Sequence, residues 1–516
     1  MIHRGYKGIS RLSKIPYRQF SRTALISKDQ SDVPPHQDGL YFGKFTKAEY
    51  DEAKKIIEQQ ISRLESQIKG DHNIRENLGK IPQFPEPSSS SSPASKKIDN
   101  LTDFFEQTIK LTGPLPLSAY MRQCLTHPEF GYYTTRDPLH LRTGDFITSP
   151  EISSVFGEML GIWYFSVWQS QGSPERIRFV EFGPGRGTLI FDVLKTFNKL
   201  AEKFTNVKPK IEINLIEASH VLRKEQWKLL CDEEGAPLET TEEGYNKSVT
   251  KWGNEIYWLD TEKDIKQGNS EIANFVIAHE FFDALPIKSF IREEEGWREL
   301  MVEHTASVNN TQPKLESKET PKSENDESLD TKFHLTISPK ETPSSMIPQI
   351  SKRYRDLPVG TRIEICPDAE LYIMKMVQLL NTSNKGAVLV IDYGTANEIP
   401  SNSLRGIYQH RFVSPFWSPG EVDLSIDVDF QNLKNLTENM AECYGPISQG
   451  DWLHNIGIGH RIDQLIKKNS HHEETQDKIY DSYLRLTHPE QMGNIYKFMA
   501  LLPKHASSSS TPPPGF

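Results

Sequence analysis

The sequence predicts an α/β fold in which helices cover both faces of a parallel sheet. Short runs that are continuously apolar, such as Ile177–Val180, alternate along the chain with longer segments of helical periodicity. A glycine-rich turn follows the first of these runs, and polar residues follow the others. Strands of a parallel sheet are buried on both faces, so they are apolar throughout and alternate with covering helices.

The first strand leads into residues 181–187, which read Glu-Phe-Gly-Pro-Gly-Arg-Gly. Gly183, Gly185 and Gly187 let the backbone turn sharply and approach a ligand without a Cβ in the way. A helix that begins near Thr188 would point its N-terminal amides at such a ligand. The alternative is a tight strand-to-helix turn that uses glycine for packing alone.

The spacing of these glycines favours S-adenosyl-L-methionine over a dinucleotide. A dinucleotide fingerprint requires G-x-G-x-x-G, whereas this turn reads E-x-G-x-G-x-G, with Glu181 ahead of the first glycine. In S-adenosylmethionine sites of this pattern, the backbone closes over the methionine part of the ligand and cradles no pyrophosphate. We therefore predict that Glu181, Gly183, Gly185 and Gly187 bind this cofactor.

The second predicted strand, Ile211–Ile216, ends in Glu217, about 30 residues past the glycine turn. A carboxylate at this position can accept hydrogen bonds from the two ribose hydroxyls of the cofactor. Ser219 then caps the following helix. The alternative for Glu217 is a solvated strand end.

Later apolar runs complete the predicted sheet. They are Phe275–Ala278, followed by His279 and Glu280, then Ala387–Ile391, followed by Asp392 and Tyr393, and finally Asn494–Leu502 as the last strand. Open α/β sheets bind their ligands at the carboxyl ends of the strands. The polar residues that follow these runs therefore predict a site at that edge.

Four stretches resemble the mitochondrial complex I assembly-factor arginine methyltransferases. They are Thr143–Ser153, Glu181–Thr188, His279–Pro286 and Val422–Phe430, and the resemblance runs from about Leu101 to Pro503. It implies a Rossmann-like, seven-strand methyltransferase sheet with an N-terminal helical or loop elaboration and inserted segments. It also implies S-adenosylmethionine as methyl donor and symmetric dimethylation (type II) of an arginine in the 49-kDa-type subunit of respiratory complex I, in support of complex I assembly.

Two other functions remain open at this point. One is a non-catalytic assembly chaperone that keeps the cofactor, and the other is a methyltransferase with a different acceptor. An intact glycine turn, together with Glu217, Glu280 and Asp283, argues against the chaperone.

An arginine acceptor needs carboxylates, because its guanidinium is charged at every physiological pH and is poorly nucleophilic. Carboxylates that accept its N–H groups hold the guanidinium plane in register and localise the charge. Glu280 and Asp283 lie three residues apart on a predicted helical turn and can face one pocket, so we predict both as catalytic residues. The alternative is that Asp283 caps this short helix and Glu280 bonds to local backbone. His279 stays outside the catalytic set.

A second candidate wall of the site is the loop that contains Asp145, Thr148, Ser149 and Glu151. Ser149 is predicted as a helix N-cap, with Pro150 at the first helical position and Glu151 as a first-turn acid. Capping alone would explain Ser149 and Glu151. The family resemblance favours a substrate or cofactor loop, because this loop is a hallmark of that family.

Asp423, Asp427 and Asp429 alternate as on one face of a strand. This pattern suggests an acidic surface that faces a basic peptide. A solvated strand edge is the alternative.

Composition excludes several classes of protein. The net charge of −10 over 516 residues argues against nucleic acid as the main partner, because phosphate contacts require a basic face. No apolar run approaches the roughly 18 residues of a transmembrane segment. The four cysteines lie far apart without a C-x-x-C pair, so no metal site or disulfide framework is predicted.

The N-terminal residues 1–35 have the composition of a mitochondrial presequence. Residues 1–28 contain seven Lys or Arg and no acid, interleaved with apolar residues, which predicts import into the matrix. A disordered basic tail is the alternative.

The remaining boundaries follow from composition. Residues 36–100 are predicted as an amphipathic helix over 48–68 and a Pro/Ser-rich linker, and 101–505 as the methyltransferase domain. A polar segment at about 305–331 is predicted as a disordered insertion between Glu299–His304 and Lys332–Ile337, which could pair as a hairpin. Residues 506–516 are predicted as a disordered Ser/Pro tail.

Overall fold

A computed structural model describes residues 98–135, 148–231, 236–266, 270–305, 331–504 and 511–516. The predicted presequence, the helix over 48–68, the Pro/Ser-rich linker, Asp145 and nearly all of the predicted insertion lie outside the described residues. Within the described ranges, no helix has both the length and the apolar character that a membrane crossing requires.

The strands of the described residues are numbered in chain order. They are β1 Leu115–Pro116, β2 Arg176–Phe182, β3 Lys210–Ile216, β4 Glu239–Thr240, β5 Asn246–Val249, β6 Glu255–Leu259, β7 Ala273–His279, β8 Lys288–Glu293, β9 Gly296–His304, β10 Phe333–Ile337, β11 Arg362–Ile365, β12 Gly386–Thr395, β13 Arg405–Tyr408, β14 Arg411–Val413, β15 Asp423–Ser425, β16 Val428–Asp429, β17 Ala441–Ser448 and β18 Tyr496–Pro503.

The helices are numbered in the same way. They are α1 Leu101–Thr112, α2 Leu117–Thr126, α3 Tyr132–Thr135, α4 Ser149–Ile152, α5 Ser154–Ser170, α6 Thr188–Phe204, α7 His220–Leu230, α8 Met346–Ile350, α9 Pro367–Ser383, α10 Phe430–Thr437, α11 Gln449–Asn455, α12 Ile458–Lys468 and α13 Glu473–Thr487. Short helical turns occur at Glu262–Asp264, Pro343–Ser345 and Pro489–Gly493.

The main sheet contains ten of the described strands in the order β17-β18-β12-β7-β2-β3-β6-β5-β4, with β16 beside β12. Strands β6, β3, β2, β7 and β12 are parallel, and β18 lies antiparallel between β12 and β17. These seven strands confirm the predicted seven-strand core. The chain winds outward in both directions from β2 and β7, so the crevice between these strands at their carboxyl ends is the expected ligand site.

Helices cover both faces of this sheet. Neighbouring residues of a strand point to opposite sides, so they pack against different helices. Phe179 belongs to the core cluster that includes α5 and α6, whereas Val180 belongs to the cluster that includes α9. Helices α5 and α6 approach closely where Gly161 faces α6, since a Cβ there would lie 2.9 Å from the Val193 carbonyl oxygen. Because α6 follows β2 after a short turn, its N-terminal end lies at the carboxyl edge of the sheet.

Two smaller sheets add a second layer. Strands β1, β9, β8, β11 and β10 form one, and β14, β13 and β15 form the other. The predicted hairpin is confirmed, because β9 and β10 pair in antiparallel register from His304 with Phe333 to Leu300 with Ile337. Strand β15 ends in Ser425, which the small sheet brings to the carboxyl edge of the main sheet.

The predicted disordered tail is wrong for its described part, residues 511–516. The ring of Phe516 lies 6.4 Å from those of Trp163 and Trp452, and the amide of Asn455 donates to the Gly515 carbonyl at 3.2 Å. The Ser/Pro composition pointed to disorder, whereas packing of the half-buried Phe516 ring against two tryptophans favours order.

Candidate functional site

The glycine turn joins β2 to α6 at the carboxyl edge of the sheet. Gly183, Gly185 and Gly187 have φ values of +62°, +55° and +81°. Residues with a Cβ rarely adopt this left-handed region, so each of the three positions needs glycine for its backbone conformation. The amide of Gly187 donates to the Pro184 carbonyl at 2.8 Å, which closes the turn directly before α6.

Gln226 on α7 links this turn to Glu217 at the end of β3. Its side-chain amide donates to the Gly185 carbonyl at 2.6 Å and to Glu217 Oε2 at 3.1 Å, while its oxygen accepts from the Trp258 indole at 2.8 Å. Sequence reasoning missed Gln226, although a glutamine on the buried face of a helix is a signal of a polar network.

Glu217 is buried, and both of its carboxylate oxygens accept hydrogen bonds. The Ser219 amide donates to Oε1 at 2.8 Å, and Gln226 bonds to Oε2. Burial raises the pKa of Glu217 to about 7, and the bonds from Ser219 and Gln226 oppose that rise. These bonds fix the carboxylate beside the glycine turn.

Glu181 is the last but one residue of β2 and is only 2% exposed. Its Oε2 atom is buried and has no hydrogen-bond partner among the described residues. Burial raises the pKa of Glu181 to about 8, with further contributions from Glu151 and Glu217. A buried carboxylate without a partner fits a ligand that carries positive charge, and S-adenosylmethionine carries a sulfonium and an ammonium group.

Residues 280–283 form a tight turn after β7, so the predicted helical turn is wrong. Glu280 adopts a left-handed conformation with φ +49°, which costs a residue with a Cβ about 1–2 kcal/mol. The physical reason lies in β12, which captures the amides of the turn. The Ile391 carbonyl accepts from the Glu280 amide at 2.9 Å, and Asp392 Oδ2 accepts from the amides of 281–283 at 3.2, 2.9 and 3.3 Å.

The turn brings the carboxylates of Glu280 and Asp283 into one buried region, together with three hydroxyl groups. Asp283 Oδ2 accepts from the Tyr393 phenol and, at 3.2 Å, from the Ser425 hydroxyl. The Tyr496 phenol acts on Glu280 and opposes the rise of its pKa. The sequence placed Tyr393 at this edge but identified no role for Ser425 or Tyr496, because their strands lie far along the chain.

Each of these two carboxylates also keeps one oxygen without a partner. Glu280 Oε1 and Asp283 Oδ1 are buried and make no hydrogen bond to a described residue. His279 Nε2 lies 3.4 Å from Glu280 Oε1, and burial lowers the pKa of His279 to about 3, so this imidazole is neutral. The histidine therefore supplies no countercharge to Glu280.

Burial and mutual repulsion dominate the electrostatics of this region. Burial, followed by Asp283 and Glu151, raises the pKa of Glu280 well above its ordinary value. Burial also raises the pKa of Asp283, and the Tyr393 hydrogen bond and Arg405 oppose this rise. The Arg405 guanidinium is bound to Asp427 at 2.7 Å, which leaves the region rich in acid. A cationic ligand would relieve this repulsion.

The loop over 148–151 lies beside this acidic region. The Ser149 amide acts on Glu280 and lowers its pKa, whereas Glu151 raises the pKa values of both Glu181 and Glu280. The structure thus brings Ser149 and Glu151 to the site, together with Thr148, whose hydroxyl bonds to Glu151. Asp145 lies outside the described residues.

The predicted capping of this loop is wrong in one respect. Thr148, with extended φ and ψ of −84° and 166°, is the N-cap of α4, and Ser149 is its first helical residue. The helix then breaks at Ser153, whose hydroxyl accepts from the Val155 amide at 3.3 Å and caps α5.

The interpretation of Asp423, Asp427 and Asp429 as an acidic surface is wrong. Asp423 accepts from the Tyr133 hydroxyl at 2.7 Å, and Asp427 accepts from Arg405 at 2.7 Å. Asp429 accepts two hydrogen bonds from Arg353, at 2.7 and 2.9 Å. These internal bonds stabilise the second layer and leave no row of free acids. Across the described ranges, no three His, Cys, Asp or Glu side chains are arranged to hold a metal ion.

A protein-family model described as "Putative S-adenosyl-L-methionine-dependent methyltransferase" matches residues 159–447. Among curated proteins, the chain is 35% identical to human "Protein arginine methyltransferase NDUFAF7, mitochondrial", over 81% of this chain and 86% of the relative. It is 34% identical to the homologue of that protein from Drosophila melanogaster, over 83% of this chain and 92% of the relative.

Solved structures resemble the fold. Two structures of one superfamily from Burkholderia thailandensis have TM-scores of 0.57 and 0.56 and are 22% and 21% identical to this chain. Each comparison covers 78% of this chain and 91% of the bacterial chain, and the second bacterial structure is bound to S-adenosyl-homocysteine.

Proposed function

The chain belongs to the family of S-adenosyl-L-methionine-dependent methyltransferases that includes the NDUFAF7 proteins, and from this membership we propose that it methylates protein arginine in mitochondria. The proposed reaction is symmetric dimethylation of an arginine in the 49-kDa-type subunit of respiratory complex I, in the matrix. The names of the relatives support arginine methylation and a mitochondrial location. The type of dimethylation and the substrate subunit are what the family resemblance described above implies.

The pair of buried carboxylates carries the proposal of an arginine acceptor. The Tyr393 phenol bonds to Asp283 and the Tyr496 phenol acts on Glu280, while one buried oxygen of each carboxylate has no partner among the described residues. A guanidinium presents several N–H donors in one plane, so it can bond to one oxygen of each carboxylate. A neutral acceptor would leave both buried acids without a countercharge, which is unfavourable.

The cofactor side of the pocket is formed by the glycine turn and two acids. Gly183, Gly185 and Gly187 allow close approach of the backbone, and Glu181 and Glu217 would hold the charged and hydroxyl groups of the ligand. When bound, S-adenosylmethionine supplies an electrophilic methyl group. The protein then has to place the acceptor nitrogen in line with that group, and alignment alone can account for several kcal/mol of the barrier.

Glu280 and Asp283 supply this alignment on the acceptor side. Their oxygens accept the N–H groups that do not react and localise positive charge away from the attacking nitrogen. The attacking nitrogen must also lose a proton. The raised pKa of Glu280 makes its carboxylate a suitable acceptor for that proton.

The replacement Glu280→Gln tests this role. A neutral amide keeps the shape of the side chain, so the affinity for S-adenosylmethionine should stay within about twofold of the original. Methylation of an arginine peptide from the complex I subunit should fall by on the order of 10²-fold, because the aligning charge is lost. Calorimetry would measure the affinity, and mass spectrometry would measure the methylated peptide.

Glu271→Gln is a matched control, since Glu271 lies exposed near the opposite end of the same strand. It should leave both affinity and methylation unchanged. Full methylation by Glu280→Gln would reject Glu280 as part of the clamp. Normal transfer to a non-arginine acceptor, with none to arginine in the unchanged protein, would reject the proposed substrate class.

A further inference from the structure

We propose that Asp392 is a positioning residue, which holds the turn over 280–283 so that Glu280 and Asp283 meet the substrate guanidinium together. This inference rests on the proposed arginine acceptor. Asp392 lies in β12 and is 0% exposed, and backbone amides donate to both of its carboxylate oxygens, so it acts through the turn.

Four successive amides of the turn point to the end of β12. The Glu280 amide donates to the Ile391 carbonyl at 2.9 Å, and the next three, 281–283, donate to Asp392 Oδ2 at 3.2, 2.9 and 3.3 Å. The other oxygen, Oδ1, accepts from the Tyr393 amide at 3.0 Å. A run of amides that converges on one oxygen is an anion-binding nest, and here the anion is a side chain of the same protein.

The nest explains how a strained backbone persists at Glu280. A helix that began after β7 would leave its first four amides without intrahelical partners, whereas Ile391 and Asp392 of β12 accept from all four amides of 280–283. The hydrogen bonds to Asp392 offset the cost of φ +49° at Glu280. Because Glu280 and Asp283 begin and end this run of amides, the relative position of their carboxylates depends on Asp392.

Asp392 also adds charge beneath the clamp. Burial raises the pKa of Asp392, as do Asp283 and Glu280, but four backbone amides donate to its two oxygens and favour the ionised form, so we assign a negative charge to Asp392. Repulsion between charges is mutual, so a charged Asp392 raises the pKa values of Glu280 and Asp283 in return. The other titratable and charged groups that act on these acids are Glu151 on α4, His279 on β7, Tyr393 on β12, Arg405 on β13, Tyr496 on β18 and Tyr133 on α3.

The replacement Asp392→Asn in the full chain separates these roles. It keeps the shape of the side chain but removes the charge and one acceptor atom. Hydrogen exchange of the amides of 281–283 should accelerate by at least about tenfold, while S-adenosylmethionine affinity stays within about twofold. With an arginine peptide, kcat should fall by about tenfold or more, whereas KM should change by less than threefold in either direction.

The pH profile gives a readout that a purely structural role would not move. The rate rises with pH as Glu280 and Asp283 lose their protons, which sets the acidic limb of the kcat profile. Removal of the negative charge at Asp392 lowers the pKa values of both neighbours, so this limb should shift to lower pH in Asp392→Asn. Asp392→Glu keeps the charge and displaces the oxygens, so it should lower kcat and leave the limb in place.

The outcomes distinguish this inference from the proposed function. Unchanged kcat and an unshifted acidic limb in Asp392→Asn would overturn the positioning role. Should Asp392→Asn fail to fold, rapid exchange of the 281–283 amides in the unchanged protein would overturn it as well. The unchanged protein could also methylate no arginine peptide, while Asp392→Asn still accelerates hydrogen exchange of the 281–283 amides. That result would reject the proposed arginine acceptor and support the role of Asp392 in holding the turn.

Discussion

Glu217 joins three parts of the cofactor side: β3, the N-terminus of α7 and, through Gln226, the glycine turn. We expect Glu217→Ala to weaken S-adenosylmethionine binding by roughly 1.5–3 kcal/mol, the usual contribution of hydrogen bonds to a charged group. Calorimetry would measure the loss, and Glu217→Gln, which keeps the side-chain volume, would show how much of it depends on charge. Unchanged affinity with lower thermal stability would make Glu217 a structural residue only.

Glu181 predicts how the stability of the cofactor-free protein depends on pH. Its pKa is raised from 4.5 to about 8, so between these values the folded chain holds a proton that the unfolded chain has released. The free energy of unfolding therefore falls as pH rises through this window, by on the order of a few kcal/mol. Urea unfolding at about pH 5 and about pH 8 would measure the fall.

Glu181→Gln provides the comparison for this prediction. The amide does not titrate, so the variant should lose less stability between the two pH values than the unchanged protein. Glu271→Gln, at an exposed site, should show the same pH dependence as the unchanged protein. An equal fall in all three proteins would mean that Glu181 does not carry the effect.

At the scale of single residues, the sequence identified positions better than it identified their partners. The glycine spacing led to three residues whose φ values lie in the left-handed region, because that requirement is local to the turn. The same reasoning placed Glu280 and Asp283 on a helix. The correct turn depends on hydrogen bonds to Asp392, more than a hundred residues later, and local periodicity carries no information about such a partner.

At the scale of elements, the contact between α5 and α6 depends on small residues. A Cβ at Gly161 would lie 2.7 Å from Thr196 Cβ and 2.9 Å from the Val193 carbonyl. We expect Gly161→Ala to force these helices apart and to lower the free energy of unfolding by about 1–3 kcal/mol. Urea denaturation would measure the change in midpoint and slope.

Gly459→Ala is the matched control for this prediction. Gly459 also lies in a helix, α12, but a Cβ there would meet no heavy atom within 4 Å. Alanine should therefore leave stability unchanged or raise it by up to about 1 kcal/mol. A Gly161→Ala protein as stable as the Gly459→Ala protein would mean that α6 can move without cost.

Element boundaries followed from the sequence where one pattern decided them. The start of α6 at Thr188 and the hairpin of β9 and β10 agree with expectation, because turn chemistry and strand alternation are local. The break between α4 and α5 did not follow, since Ser149, Pro150 and Glu151 equally suit the start of one long helix. Only Ser153, extended and capping α5, separates the two helices.

At the scale of the whole molecule, the location of the protein depends on residues 1–35, which lie outside the described residues. We expect a fluorescent protein fused to these residues to enter mitochondria, because their basic residues alternate with apolar ones and no acid precedes Asp29. Microscopy with a matrix marker would measure entry. A control fusion with the seven Lys and Arg of residues 1–28 replaced by Gln should stay in the cytosol. Cytosolic fluorescence of both fusions would overturn the presequence.

The order of strands in the main sheet constrains when the sheet can assemble. Among the described strands, β17 pairs only with β18, which comes later in the chain and lies between β17 and β12. During synthesis β17 therefore has to wait for β18, and until then the edge of β12 is an unpaired strand that can associate with other chains. Pairing between such distant segments is also slow. This chain thus passes through a stage in which the buried, apolar strand β12 is open on one side, and that stage is the one at which a chaperone has most to protect.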